Sequence, residues 1–172
     1  QNNILWPESQ QNGVVRGLKN RTNWAKLWNS YMIKPLINNG FKKATTIAFS
    51  HPFALPKKIQ KQLEHYPTSY QPAGESMAWR YLNSFLKERG FNYQKHISKP
   101  TESRISCSRV SPFLSWGNLS VRQVFQHVNM HPNAQKRKRV FSAMLTRLHW
   151  HCHFVQKFEM ECSYETQCIS AG

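Results

Sequence analysis

The segment Cys107–Gln123, CSRVSPFLSWGNLSVRQ, joins groups that bind phosphate to the start of a helix. Its first five residues supply a thiol, two hydroxyls and a guanidinium, whose planar donors match phosphate oxygens in pairs. Ser120 and Gln123 have the spacing of a capping box, which predicts a helix beginning after Ser120. The segment therefore predicts a phosphate-friendly turn followed by a helix, and an ordinary surface turn before a helix is the alternative with the same composition.

Apolar residues recur at helical spacing on both sides of this segment, so we expect a mostly α-helical chain. A long helix is predicted from about Gln135, with apolar residues every three or four positions up to Phe158. An amphipathic helix is predicted after Gly74, ending at Gly90. Residues 93–107 are polar and interrupted by proline, which favours a loop. The chain shows no βαβ alternation and no internal repeat.

Residues 1–72 read as an irregular, aromatic-rich lead-in with short helices. One helix is expected after Thr22 as its N-cap, stopping before Pro35. Another is expected from about Pro56 to His65, because proline suits the first position of a helix.

The charge balance predicts a polyanionic partner. The chain has 24 Lys+Arg against 8 Asp+Glu, a formal charge of +16, and nucleic acid is the first candidate. A solvated basic surface is the alternative. All eight acids are Glu, so a Ser-His-Asp triad and an Asp-rich metal site are excluded. The seven glycines form neither a phosphate-binding Walker loop nor a GxGxxG motif.

The four cysteines form no regular disulfide pattern, so we expect reduced thiols and a cytoplasmic, intracellular location. No apolar run approaches the length of a membrane helix, and no signal peptide is visible. We expect no membrane contact and a monomer. The chain opens at Gln1 without Met, which favours a fragment.

Four segments in order resemble the photolyase/cryptochrome family, and residues 107–123 are the most specific of them. That run is similar to the family's (T/C)SR(L/V)SPYL-x-x-G-x-LS-x-R flavin-pyrophosphate segment. The other three are Asn12–Trp24, similar to the connector after the light-antenna domain; Gly74-Glu75, similar to the start of the GE-x-x-A helix; and Arg147–Phe154, at the place of the E-L-x-W-R-x-F-(Y/F) helix.

The resemblance implies part of an all-helical FAD-binding domain. Residues 1–72 would be the interdomain connector, and residues 73–172 the N-terminal part of that domain. In this family FAD transfers an electron under light, either to a lesion flipped out of duplex DNA or for blue-light signalling. The parent protein would be a DNA photolyase-type lyase if it repairs damage. We expect the 172 residues alone neither to hold FAD tightly nor to repair DNA.

The resemblance assigns FAD contacts to the turn and to one aromatic residue ahead of it. These are Tyr93, Cys107, Ser108, Arg109, Val110 and Ser111. Cys107 stands where Thr is common, which weakens the hydroxyl hydrogen bond. Without the resemblance, we would favour core roles for Tyr93 and Val110 and a turn role for Ser111.

The same resemblance assigns contacts with damaged DNA to Arg147, Trp150 and His151. Trp150 matches the tryptophan that stacks on the lesion, although a Trp on a long helix is also a common core residue. Arg147 replaces an acidic residue and His151 replaces an arginine of the family pattern. These changes weaken the prediction of pyrimidine-dimer repair more than that of flavin binding.

Two other readings are open. His149, Cys152 and His153 have helical spacing that can ligate zinc, but no CxxC or HExxH motif is present, and packing is the favoured role. The run Lys136–Arg139 is predicted either to contact DNA phosphates or to be a solvated surface. The alternative function is a non-enzymatic, basic helical module that binds nucleic acid.

Overall fold

The computed structural model describes residues 12–37, 53–65 and 67–168. These residues form eight α-helices and contain no β-strand, so the prediction of a mostly α-helical chain is confirmed. The α-helices are α1 (Trp24–Met32), α2 (Lys57–Glu64), α3 (Glu75–Lys87), α4 (Tyr93–His96), α5 (Pro100–Ser106), α6 (Ser111–Ser115), α7 (Val121–Asn129) and α8 (Lys138–Met160). Two 3₁₀ helices lie at Arg89–Asn92 and Cys162–Glu165. Within the described ranges, no helix is both long and apolar enough to cross a membrane.

The chain divides into two compact units. The smaller unit is Ile37–Ala73, and the larger one combines the residues up to Leu36 with those from Gly74 onward. Helix α1 therefore belongs to the unit that also holds α3 to α8. In the smaller unit, α2 lies where the sequence predicted it, and each of its residues is exposed. The role of residues 1–72 as an interdomain connector stays a prediction.

One apolar core holds the larger unit together, and it is built from residues repeating every three or four positions. Its main members are Trp24, Trp28 and Met32 of α1; Ala78, Leu82, Phe85 and Leu86 of α3; Val121, Val124 and Val128 of α7; and Val140, Phe141, Met144, Leu148 and Cys152 of α8. The periodic helices thus bury the faces that their sequences predict.

The start of α7 is the predicted capping box. The Gln123 backbone N–H donates to Ser120 Oγ at 3.1 Å, and the Ser120 N–H donates to Gln123 Oε1 at 2.8 Å. Because both hydrogen bonds of the capping box are made between residues three positions apart, this helix start can be recognised from the sequence alone.

The prediction of a loop over residues 93–107 is wrong. A 3₁₀ turn leads into α4, and Pro100 starts α5 as its first residue. Each of these short helices buries a single residue, Tyr93 in α4 and Ser106 in α5. Helices this short leave no periodic pattern of apolar residues in the sequence. The proline at the first position of α5 therefore looks like a residue that interrupts a helix, although it begins one.

Three helix boundaries in the structure differ slightly from those predicted from the sequence. Asn23 rather than Thr22 occupies the N-cap of α1, and α8 begins at Lys138 rather than near residue 135. Helix α3 ends at Lys87, so Gly90 does not cap it. Glycine is required at position 90 for another reason: an added Cβ would lie 2.7 Å from Phe85 Cε2.

Candidate functional site

The predicted phosphate turn lies between α5 and α6 and has an unusual backbone. Cys107 is extended, and Arg109 has a φ of +59°, in the left-handed region that non-glycine residues rarely occupy. Val110 follows in the right-handed region at φ −87° and ψ −9°. Adjacent left- and right-handed residues turn successive N–H groups toward one side, which forms a concavity suited to an anion.

Arg89 lies on the opposite side of this turn, and no motif in the sequence points to it. Its Nη1 donates to the carbonyl oxygens of Ile105 at 2.8 Å and Cys107 at 2.7 Å. Its Nη2 donates to Tyr81 O at 2.8 Å and Ser108 O at 3.5 Å, and its Nε donates to Ser84 Oγ at 2.9 Å. One guanidinium therefore ties the end of α3 to the end of α5 and the turn.

This arrangement sets the direction of the peptide groups. In a trans peptide the N–H points away from the preceding C=O. Since the carbonyls of Cys107 and Ser108 face Arg89, the N–H groups of Ser108 and Arg109 face away from it. Burial lowers the pKa of Arg89, with the Arg109 charge acting in the same direction, and the five oxygen acceptors compensate for the lost hydration.

The side chains of the turn differ in exposure. Ser108 and Arg109 are half-buried, and Ser111 is exposed as the first residue of α6. The Arg109 guanidinium donates to Arg104 O at 3.4 Å. The Val110 side chain belongs to the core at 4% exposure, so this residue can serve a ligand only through its backbone.

Tyr93, Cys107 and Arg147, predicted for two different ligands, lie close together. Burial raises the pKa of Tyr93 and Cys107 raises it further, whereas Arg147 lowers it through its charge and a side-chain hydrogen bond. Burial likewise raises the pKa of the Cys107 thiol, and the nearby charges of Arg89 and Arg147 oppose this. Tyr93 is also a core residue at 6% exposure and packs edge-on against Phe85. One predicted lesion residue, Arg147, thus lies beside two predicted cofactor residues, Tyr93 and Cys107.

Trp150 is not a core residue, because 47% of it is exposed. The Arg147 guanidinium lies over its ring, 4.6 Å from the centroid. A cation at this distance binds the ring electrostatically and covers one of its faces. His151 is exposed on the same helix. A planar ligand on the covered face of Trp150 would have to displace Arg147.

The residues considered for zinc are packing residues instead. The His149 ring packs 4.8 Å from Trp28 and 5.1 Å from Trp24, and His153 receives a hydrogen bond from Arg21 at 2.9 Å. Cys152 is fully buried, which raises its pKa to about 11. Among the residues that the structure describes, no group of three His, Cys or Glu side chains could hold a metal.

The basic run at the start of α8 divides into two roles. Arg137 donates from Nη1 to Leu86 O and Lys87 O, both at 2.9 Å, so it closes the C-terminal end of α3. Lys136, Lys138 and Arg139 are exposed. The prediction that the whole run is available to a ligand therefore does not apply to Arg137.

Comparison with known proteins found no matching family model, no similar curated protein and no similar solved structure.

Proposed function

We propose that this chain is part of an FAD-binding flavoprotein of the photolyase/cryptochrome kind, and that the turn Cys107–Ser111 binds the FAD pyrophosphate. The observation that carries the proposal is the left-handed Arg109 followed by a right-handed Val110, with Arg89 holding the carbonyl oxygens on the other side. This geometry directs N–H groups outward, beside two serine hydroxyls and a guanidinium. That donor set suits a pyrophosphate and needs no glycine-rich loop.

The roles of the individual residues follow from this geometry. Ser108, Arg109 and Val110 would bind phosphate oxygens through their N–H groups, and the Arg109 guanidinium would add a charged pair of donors. Arg89 would position the turn without touching the ligand. When bound, FAD supplies light-driven electron transfer, and the protein supplies binding and orientation.

Arg147 and Trp150 favour flavin binding over dimer repair. The cation over the Trp150 ring competes with a stacked base, and no carboxylate stands at position 147 to accept a hydrogen bond from a lesion. Within the proposal, blue-light signalling therefore ranks ahead of repair. A blue-light assay on DNA containing pyrimidine dimers separates the two.

The test is the flavin content of the full-length parent protein. We expect a yellow protein that releases FAD on denaturation. Arg109→Ala should weaken FAD binding by about tenfold or more, because a charge-assisted contact is lost. Arg104→Ala is the matched control, since Arg109 donates to the backbone carbonyl of Arg104, which the substitution keeps. A colourless parent protein, or full flavin retention in Arg109→Ala, would contradict the proposal.

The second candidate function is nucleic-acid binding without a cofactor. Its support is the charge of +16 together with the three exposed cations Lys136, Lys138 and Arg139. This function predicts a colourless protein whose affinity for nucleic acid falls steeply with salt.

A further inference from the structure

A basic groove lies at the start of α8, away from the turn Cys107–Ser111 in the sequence. It encloses about 340 Å³ and is lined by Phe91 of the first 3₁₀ helix and by residues 135–140. Lys136, Lys138 and Arg139 supply its exposed charges. We use the name basic groove for this surface below.

Arg137 fixes the shape of the basic groove rather than binding its ligand. Besides its bonds to Leu86 O and Lys87 O, it donates to Glu88 O at 3.4 Å. These bonds join the start of α8 to the end of α3, where the 3₁₀ helix carrying Phe91 begins. The two walls of the groove are thus tied together by a side chain whose Nη atoms already donate to carbonyl oxygens at the end of α3 and whose Nε is buried away from an incoming phosphate.

The three exposed cations Lys136, Lys138 and Arg139 lie at the N-terminal end of α8, where positive charge is electrostatically unfavourable for a helix. The N-terminal end of a helix carries partial positive charge and favours acidic residues, yet the first turn of α8 contains no acid. The carboxylate of nearby Glu88 is paired with Lys87 at 3.6 Å. The helix dipole and Lys136, Lys138 and Arg139 therefore add to one local positive potential, which an anionic ligand would relieve.

Phe91 adds an aromatic face to this charged surface. Its side chain is 76% exposed, and the Arg137 guanidinium lies over one face of its ring, 5.9 Å from the centroid, which leaves the opposite face for a stacked base. Exposed aromatic rings beside phosphate-binding cations are the combination used for single-stranded nucleic acid, because unpaired bases stack on such rings. A duplex would present its phosphates to the cations but no free base to the ring.

We propose that the basic groove binds a single strand of nucleic acid, with phosphates on its three exposed cations and one base stacked on Phe91. The inference rests on the second function above, nucleic-acid binding, and is independent of flavin.

The test measures binding of a fluorescein-labelled oligothymidylate, about 20 nucleotides long, to the full 172-residue chain by fluorescence anisotropy, between about 50 and 200 mM salt. The triple variant Lys136→Ala/Lys138→Ala/Arg139→Ala should bind at least about tenfold more weakly. Its plot of log affinity against log salt should be shallower by about 2, since each phosphate contact on a single strand contributes about 0.7. Phe91→Ala should lose about fivefold or more with an unchanged salt slope.

Matched controls distinguish binding at the basic groove from non-specific attraction to the positive charge of the whole chain. Lys57→Ala/Lys58→Ala/Lys61→Ala removes the same charge from the exposed helix α2, and Trp116→Ala removes another exposed aromatic ring. Both should change affinity by less than about threefold.

Equal losses of affinity in the two triple variants would overturn the assignment of binding to the basic groove while leaving nucleic-acid binding in place. Absence of oligothymidylate binding by the unaltered chain would overturn both, and tighter binding to duplex DNA or to anionic lipid vesicles would overturn the single-strand assignment. Circular dichroism establishes that each variant is folded.

Discussion

Gln156 and Val15 form a reciprocal pair of hydrogen bonds across 141 positions of sequence. The Val15 N–H donates to Gln156 Oε1 at 2.6 Å, and Gln156 Nε2 donates to Val15 O at 3.0 Å. Gln156 is fully buried on α8, and its side-chain amide satisfies both backbone groups of Val15. The segment before α1 is thereby fixed to the longest helix.

Gln156→Leu should destabilise the protein by about 2–4 kcal/mol, because it leaves the Val15 N–H and C=O without their partner. Urea denaturation followed by circular dichroism measures the change. Gln167→Leu, at an exposed position, should change the free energy of unfolding by less than about 0.5 kcal/mol. A cost at position 156 as small as at position 167 would show that the pair contributes nothing to stability.

Arg89→Lys should destabilise the protein by about 2–3 kcal/mol although the charge is kept. A lysine ammonium has three donors on one atom and cannot reach the carbonyl oxygens of Tyr81, Ile105 and Cys107 at the same time. Arg80→Lys, at an exposed position of α3, is the control. Under the proposed function, Arg89→Lys should also lower flavin affinity, because the turn Cys107–Ser111 would be held less firmly. Unchanged thermal stability in Arg89→Lys would contradict the positioning role.

Gly13 and Gly17 provide a matched pair for packing at Trp28. Both have positive φ, +65° and +67°, so alanine strains either backbone by about 1 kcal/mol. An added Cβ at Gly13 would lie 2.9 Å from Trp28 Cδ1, whereas one at Gly17 meets no atom within 4 Å. Gly13→Ala should therefore cost about 1–2 kcal/mol more than Gly17→Ala in chemical denaturation. Equal costs would mean that the Trp28 ring moves aside freely.

Stability should fall as the pH drops below about 7. Burial, assisted by the charge of His153, lowers the pKa of His149 from its model-peptide value of 6.5. His127 and His131 shift in the same direction, chiefly through burial. Because the unfolded chain then binds protons at higher pH than the folded chain, the free energy of unfolding decreases as pH falls through 6.5 toward the folded pKa values.

His149→Phe keeps an aromatic ring against Trp24 and Trp28 and removes one titrating group. Its free energy of unfolding, measured by urea between about pH 5.5 and 7.5, should depend less on pH than that of the unaltered chain. His151→Phe on the exposed side of α8 is the control. A steeper pH dependence in His149→Phe would show that the sign is wrong.

The sequence predicts the long helices well and the short ones poorly, for a physical reason. Helices α3, α7 and α8 bury several residues at regular spacing, and the Ser120–Gln123 cap is entirely local. Helices α4 and α5 bury one residue each, so their sequences carry no apolar period and read as loop. Local chemistry is visible in sequence, whereas helices stabilised by neighbouring segments are not.

The candidate site likewise has one part that could be predicted from the sequence and one part that could not. The turn could be located from its serines and arginine, but its backbone geometry depends on Arg89, whose acceptors come from residues 81, 84 and 105–108. The Arg137 bonds to α3 reach about 50 positions back along the chain. Side chains of this kind look like ordinary surface cations until the helices are packed.

The left-handed backbone of Arg109 has opposite consequences for the stability of the fold and for the proposed flavin binding. Glycine would occupy this φ without strain, so Arg109→Gly should leave the fold as stable as before or more stable by about 1 kcal/mol. Under the proposed function the same substitution should lose flavin as severely as Arg109→Ala. Selection for stability alone would therefore favour glycine here, and under the proposed function the arginine is retained for its contact with the flavin phosphates despite the backbone strain.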